Sequence, residues 1–287
     1  MIDLSVTLYV SGTPIGNMED ITLRALRILK EVDIIAAEDT RQSVKLLNHY
    51  EIKTPLTSYH EHNKYAKAPV IIKMLEEGKN VAIVTDAGMP GISDPGEDLI
   101  RECVSLGIPV TAVPGPTAVI TGLVLSALPC ARYCFEAFLP QNHKQRKEII
   151  EIMKKETRTT IIYEAPHRLT KTLGELHEEL GERKIAVIKE LTKKHENTVR
   201  GTIGEVRAYF EKNEPKGEFV IAIEGISSEK LKEAEKEKFN DITIEEHYRM
   251  YTEKGMTNKD SMKAVAKDRN IGKREVYDII MRKGGTE

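Results

Sequence analysis

Three short Gly/Pro segments carry the strongest chemical signal in this chain. They are Gly12-Thr13-Pro14-Ile15-Gly16-Asn17, Asp86-Ala87-Gly88-Met89-Pro90-Gly91-Ile92-Ser93-Asp94-Pro95-Gly96, and Val113-Pro114-Gly115-Pro116-Thr117. Each follows an apolar, strand-like run and precedes a helical pattern. Glycine lets a backbone approach a ligand closely, and proline fixes the shape of the loop. In open α/β sheets, ligands bind outside the carboxyl ends of strands, where such loops lie. One loop of this kind is equally a plain tight turn; three in one half of a chain point to a single small-molecule pocket built from all of them.

The missing motifs narrow the ligand. Neither the dinucleotide fingerprint G-x-G-x-x-G nor the phosphate loop G-x-x-x-x-G-K-[ST] occurs, so a pyrophosphate cradle is disfavoured. The esterase elbow G-x-S-x-G is also missing, because Gly91-Ile92-Ser93-Asp94-Pro95-Gly96 has the wrong spacing. No HExxH motif exists, and His60-Glu61-His62 lacks an identifiable third ligand, so no metal site is expected. Those histidines read as exposed loop residues or substrate contacts. Cys103, Cys130 and Cys134 have no paired ligand spacing and read as free buried thiols of a reducing compartment.

The elements that must position these loops follow a regular rhythm. Strand-like runs at 8–11, 33–37, 55–59, 81–85 and 110–113 alternate with helical patterns at 21–32, 40–50, 64–77, 96–106 and 117–128. Asp20 is the expected N-cap of the first helix. This is the βαβ pattern of a parallel sheet covered by helices. A second α/β unit follows, with strands expected at 135–139, 159–164, 184–190, 198–201 and 218–223, and helices at 144–155, 168–180 and 203–211. The expected organisation is an N-terminal α/β domain (1–130), a second α/β domain (131–226), a charged linker (227–240) and a C-terminal helical module (241–287). The border near 128–133 rests on Pro129, which breaks the preceding helix. In the module, helical patterns at 243–254, 258–267 and 273–282 fit a helix-turn-helix-like trihelical unit.

Composition bounds the class. The 287 residues are 40% hydrophobic and 31% charged, with net charge −2, which fits a soluble globular protein without a global basic field. From Lys254 to Lys283, nine Lys/Arg face four Asp/Glu, a local basic excess that is either an RNA-contacting face or a solvated one. The N-terminal residues lack the pattern of a signal peptide, and the longest apolar stretch, 117–128, is too short to span a bilayer, so a cytoplasmic protein is expected. With 5% aromatics and no Trp, an aromatic RNA-stacking platform is disfavoured.

Several segments together resemble the tetrapyrrole-methylase superfamily. They are Leu8–Ser11 with the first loop, Ala36-Ala37-Glu38-Asp39-Thr40-Arg41, Ser58-Tyr59-His60-Glu61-His62-Asn63, the second and third loops, Phe138-Leu139-Pro140 and Tyr163-Glu164-Ala165-Pro166-His167-Arg168. Within the superfamily the match is to the branch that methylates small-subunit ribosomal RNA, with Lys189-Glu190-Leu191-Thr192-Lys193-Lys194-His195-Glu196 and Lys216-Gly217-Glu218-Phe219-Val220 in agreement. The similarity covers roughly residues 7 to 225. It implies two α/β domains holding S-adenosylmethionine in the cleft between them, a homodimer, and 2′-O-methylation of a cytidine in the decoding region of 16S rRNA. The corrin-precursor members carry Gly-Pro-Gly-Asp-Pro and Gly-Gly-Asp-Pro in the first two loops. This chain reads Thr13-Pro14-Ile15-Gly16-Asn17 and Asp86-Ala87-Gly88-Met89-Pro90, which argues against a tetrapyrrole substrate. The ribosomal branch usually has Thr where Met89 stands.

Carried over residue by residue, the resemblance implies cofactor contacts at Pro14, Asp86, Ala87, Gly88, Met89, Pro90, Ile92, Ser93, Pro114, Gly115, Pro116, Thr117, Phe138, Leu139, Tyr163 and Glu218. The donor needs backbone partners and an apolar slot rather than a phosphate nest. The helix starting near Thr117 can offer its amides to the donor's carboxylate. Transfer to a ribose hydroxyl calls for a base. The catalytic candidates are Glu38, Glu164 and His60, with Asp39, Glu61 and His167 also in reach of the strand ends; Asp39 before Thr40 is equally a helix cap. Arg41, Arg168, Lys193, His195, Lys273 and Arg274 are candidates for RNA phosphates; the alternative for the first four is solvated surface or intersubunit salt bridges, and for the last two a solvated basic face. Two rivals remain: a tetrapyrrole C-methyltransferase on the same scaffold, and a non-catalytic ribosome-assembly protein that binds RNA.

Overall fold

The computed structural model describes residues 6–231, 239 and 242–283. The chain forms two compact units, Met1–Lys154 with Arg158–Glu224, and Lys155–Thr157 with Gly225–Glu287. No helix among the described residues is long and apolar enough to cross a membrane.

The larger unit contains two five-stranded sheets. The first is wholly parallel, in the order β3 (Leu56–Ser58), β2 (Ile34–Ala37), β4 (Val81–Val84), β1 (Leu8–Ser11), β5 (Val110–Val113). Its central strands are buried on both faces, and successive residues serve opposite layers. Tyr9, Ile35, Ala82 and Val84 pack under α1 (Leu23–Glu31) and α2 (Thr40–His49). Leu8, Val10, Val81 and Ile83 pack under α3 (Lys64–Glu76) and α4 (Glu97–Ser105). The α1 cap differs from expectation. Thr22 caps the helix by accepting from the Ala25 amide at 3.1 Å, while Asp20 belongs to a separate 3-10 turn, Met18–Asp20, capped by Asn17.

The second sheet runs β6 (Tyr133–Phe138), β7 (Thr159–Glu164), β10 (Phe219–Ile223), β8 (Lys184–Lys189), β9 (Asn197–Thr202). Only β6 and β7 are parallel; the other pairs are antiparallel. One face packs on α6 (His143–Lys155), α7 (Pro166–Leu180) and α8 (Ile203–Lys212). The other face, with Ile161, Ala186, Ile188, Val220 and Ala222, is roofed by Val119 and Leu123 of α5 (Ala118–Ser126). Burying side chains of this size contributes about 1.5–3 kcal/mol each. Gly122 permits the approach, since a Cβ there would lie 2.7 Å from Val220 Cγ1. Sequence puts α5 in the N-terminal domain and the border near 128–133. Packing assigns α5 to the second sheet, and the border between the two layers falls at the third loop.

Among the described residues, the smaller unit holds the helices α9 (Ile244–Thr252), α10 (Asn258–Arg269) and α11 (Lys273–Lys283), after a helical stretch at 228–231. Met262, Val265, Ala266 and Val276 form its core, closed by Ile244, Tyr248, Tyr251, Ile271 and Ile280. Thr243 and Glu246 form a capping box at α9, and Asn270 turns the chain between α10 and α11 in the left-handed region (φ 50°). The expected linker, 227–240, falls largely outside the described residues.

Candidate active site

The strand order brings the three Gly/Pro loops together. They leave β1, β4 and β5, which are neighbours, so all three emerge side by side at one edge of the parallel sheet. Backbone bonds stitch them. The Gly12 amide donates to Val113 O at 3.1 Å, and Thr13 and Gly88 exchange both bonds at 2.9 and 3.1 Å. The Thr13 hydroxyl donates to Thr85 O at 3.0 Å. Gly12 and Gly115 touch backbone to backbone: a Cβ on either would fall within 2.9 Å of the other's Cα. The loops are thus a rigid shelf rather than three independent turns. Pro14, Ala87, Gly88, Met89, Pro90, Ile92, Ser93, Pro114, Gly115, Pro116 and Thr117 all lie on it.

Carboxylates collect beside the shelf. Glu38 directly follows β2, and its Oε2 accepts from the Thr85 hydroxyl and from the Asp86 amide at 3.4 Å. Asp86 Oδ1 accepts from the Asp39 amide at 3.2 Å. Burial raises the Asp86 carboxyl; the hydrogen bond from the Asp39 amide opposes this, and the Glu38 and Asp39 charges add to it. Asp94 joins them and was missed as a candidate in the sequence. Burial pushes it up to about 6, the Glu38 charge adds to this, and contact with the Thr85 hydroxyl opposes it. The chain reaches Asp94 through Ser93 at φ 65°, a strained conformation for a residue with a side chain. The available signal was an acid inside a Gly/Pro loop, just before Pro95, with no helix to cap.

The second sheet supplies an aromatic wall. β6 is bulged between Phe135 and Phe138, with Ala137 at φ 52°. Phe138 packs edge-on to Tyr163, centroids 5.5 Å apart, and remains about half exposed. Burial lifts the Tyr163 hydroxyl to about 12, helped by the Asp94 charge beside it. The Asp94 carboxylate of the second loop thus acts on Tyr163 of the second sheet through its charge.

Other candidates go elsewhere. Glu164 is sealed at 1% exposure. One oxygen takes the Ala165 amide at 2.9 Å and Arg168 Nε at 3.2 Å; the other takes the Thr172 hydroxyl and lies 4.0 Å from Arg146. It is a buried structural anion and cannot serve as a base for a bound substrate. Arg168 is spent on Glu164 and the Leu139 carbonyl, so it is not available to a phosphate. The Leu139 side chain is part of the core at 1% exposure, so only its backbone is left for a ligand. Glu218 pairs with Lys193 at 2.8 Å, which Glu190 also holds at 3.0 Å. Asp39 caps α2 and grips Arg41 through two nitrogens, and that pairing holds its carboxyl at about 2. Arg41 is exposed but paired. His60 follows β3, next to the end of β2; its Nδ1 is buried without a hydrogen-bond partner among the described residues. His195, Lys273 and Arg274 are exposed, the last two in the smaller unit. No group of three or more metal-ligating residues exists among the described residues.

The site is thus a rigid backbone shelf, anionic on one side and aromatic on another, without Lys or Arg in any of its three loops. That donor set fits a cationic, phosphate-free ligand and repels a nucleotide phosphate. The family profile of the Tetrapyrrole (Corrin/Porphyrin) Methylases matches residues 7–207. The chain belongs to this family. Its members are S-adenosylmethionine-dependent methyltransferases. Among curated relatives, the ribosomal RNA small subunit methyltransferase I of Bacillus subtilis (strain 168) is 48% identical over 271 residues, 94% of this chain and 92% of that protein. The protein of that name from Synechocystis sp. is 42% identical over 275 residues, 96% and 97% of the two chains. Solved structures show the same fold at low identity. Diphthine synthase gives a TM-score of 0.58 at 11% identity, covering 77% of this chain and 90% of its own. Uroporphyrin-III C-methyltransferase from Thermus thermophilus, in complex with S-adenosylhomocysteine, gives 0.53 at 18%, covering 76% and 96%.

Proposed function

We propose that this chain methylates the 2′-hydroxyl of a cytidine in the decoding region of 16S rRNA, with S-adenosylmethionine on the three-loop shelf. The observation that carries the reading is the coincidence of that shelf with a cluster of unpaired-by-base carboxylates, in a chain 48% identical to a small-subunit rRNA methyltransferase. When bound, the donor supplies a methyl group on a sulfonium. Asp86 and Asp94 offset that positive charge, and Glu38 holds Thr85 and the Asp86 amide in register for it. Backbone groups of Gly88, Met89, Pro90, Ile92, Ser93, Gly115 and Pro116 hold the donor's polar ends, with Pro14, Ala87 and Pro114 shaping the loops and the first amides of α5, after Thr117, facing its carboxylate. Phe138 and Tyr163 form the apolar slot for adenine.

Holding the ribose oxygen in line with the methyl–sulfur bond supplies much of the rate. The proton of that hydroxyl goes to Glu38 or to His60, whose unpartnered Nδ1 lies one strand further along the same sheet edge. Lys273, Arg274 and the basic excess of the smaller unit contact RNA backbone, as does His195. Removing residues 241–287 weakens RNA binding and leaves donor binding intact; equal RNA affinity after truncation reduces that unit to a structural cap. The exposed Ile120 and Val124 on α5 support a homodimer, which light scattering at micromolar concentration tests. A ribosomal substrate supports work in the cytoplasm.

The decisive experiment is incubation with labelled S-adenosylmethionine and small subunits lacking the modification, followed by mapping of the product. Label on a cytidine ribose of 16S rRNA is expected. Label on a base, or none, overturns the reading.

A further inference from the structure

The loop joining β8 to β9 is built under strain. Glu190 (φ 53°) and Thr192 (φ 61°) both occupy the left-handed region within three residues, and Thr is β-branched, so it tolerates that region poorly. Such strain persists only where surroundings enforce it, and it concentrates at functional sites. Here Gly16 enforces it. A Cβ on Gly16 would lie 2.5 Å from Lys193 Cγ and 2.7 Å from both Leu191 O and Thr192 Oγ1, so the first site loop and this loop are locked face to face. Thr192 Oγ1 is buried there without a hydrogen-bond partner among the described residues.

The two loops enclose an open groove of about 660 Å³, bordered by Asn17, Met18, Glu19 and His49 on one side and by Thr192, Lys193 and Lys194 on the other. That volume suits one nucleotide-sized group. Its two lysines differ. Lys193 is braced by Glu190 and Glu218, which neutralise it and fix the loop. Lys194 is exposed and makes no ion pair among the described residues, so its charge is available to a ligand. Gly16 is two residues beyond Pro14 of the donor shelf, at most about 7 Å of chain. A group seated in the groove therefore lies beside the first loop of the donor shelf.

We propose that this groove is a substrate subsite that holds the ribose-phosphate of a nucleotide flanking the target, with Lys194 on the phosphate and Lys193 as the residue that positions the loop. The inference rests on the RNA-methylating reading above. A bound strand places one phosphate against Lys194 and presents the adjacent ribose to the shelf; Glu19, at the groove's edge, keeps a second phosphate from the same spot.

The test uses the full chain, small subunits lacking the modification, and the variants Lys194→Glu, His49→Glu and Lys194→Arg. Both Glu variants are surface changes outside the donor shelf. Expected are a KM for subunits raised roughly tenfold, a salt dependence of subunit binding shallower by about 0.7–0.9 per lost contact, unchanged S-adenosylmethionine affinity by calorimetry, and near-complete rescue by Lys194→Arg. If wild-type enzyme methylates subunits and both Glu variants match it in KM and salt slope, the subsite is overturned and the function stands. A loss of donor affinity in the same variants overturns it too, by placing the groove within the cofactor site. If wild-type protein neither binds nor methylates subunits, the functional reading itself fails and takes the subsite with it.

Discussion

Glu38 and Glu164 give the same signal in sequence: each ends an apolar strand at the start of a β–α connection. Their surroundings separate them. Glu164 is enclosed by Arg168, Arg146, Thr172 and the Ala165 amide, and no ligand can reach it. Glu38 meets a hydroxyl, a backbone amide and two further carboxylates, with no basic partner among the described residues. A carboxylate whose charge is already matched is part of the scaffold; a group of them left unmatched is a place prepared for a cation. The contrast arises from topology, because β2 ends among the ligand loops whereas β7 feeds α7 over a closed core.

The contrast is sharpest in stability. Glu164→Ala leaves Arg146 and Arg168 without their buried anion and is expected to cost about 3–5 kcal/mol in denaturant unfolding. An effect under 1 kcal/mol would place Glu164 outside the core. Glu38→Gln should do the reverse, leaving the unfolding midpoint nearly unchanged while turnover falls about 100-fold or more. Unchanged turnover would pass the proton to His60, where His60→Ala should then show the loss.

A smaller effect is expected at Asp94. With the carboxyl near 6, donor affinity should fall as pH drops through that value, and Asp94→Asn should flatten the step and weaken binding roughly tenfold at pH 7.5. Stability runs the other way. The folded chain holds a proton that the unfolded chain, near 3.8, has released, so stability falls as pH rises through about 4 to 6, and Asp94→Asn should remove that decline. The smallest effect belongs to Arg41→Ala. Its pair with Asp39 is open to solvent, so melting temperature and donor affinity should both stay at wild-type values; a large change in RNA binding alone would show that the guanidinium leaves Asp39 for a phosphate.

Much of this was legible in sequence where local chemistry decides. The strands Leu8–Ser11, Val110–Val113 and Thr159–Glu164 are short, β-branched and apolar-rich runs between turn residues, and their limits agree with expectation. The three loops were legible because Gly and Pro have narrow backbone reasons to be there. What escaped depends on contacts distant in sequence. That Glu164 is spent on Arg146 and Arg168 requires α6 and α7 to converge on it. The role of Asp94 requires Glu38 and Tyr163 to meet it from two different sheets. The place of α5 was hidden because an apolar helix suits either layer, and its partner is identified by contacts such as Gly122 against Val220 and Val119 and Leu123 on the second sheet.

The course of α5 also governs how the chain can be cut. A fragment starting at the proline-marked border would lack the helix that shields Ile161, Ile188 and Val220, leaving a greasy sheet open to water and prone to self-association. A fragment starting at Pro114 retains its own roof. During synthesis, the earlier half therefore releases a helix that finds its full seat only after β7, β8 and finally β10 (Phe219–Ile223) have emerged and assembled, which ties completion of the donor shelf to folding of the layer that follows it.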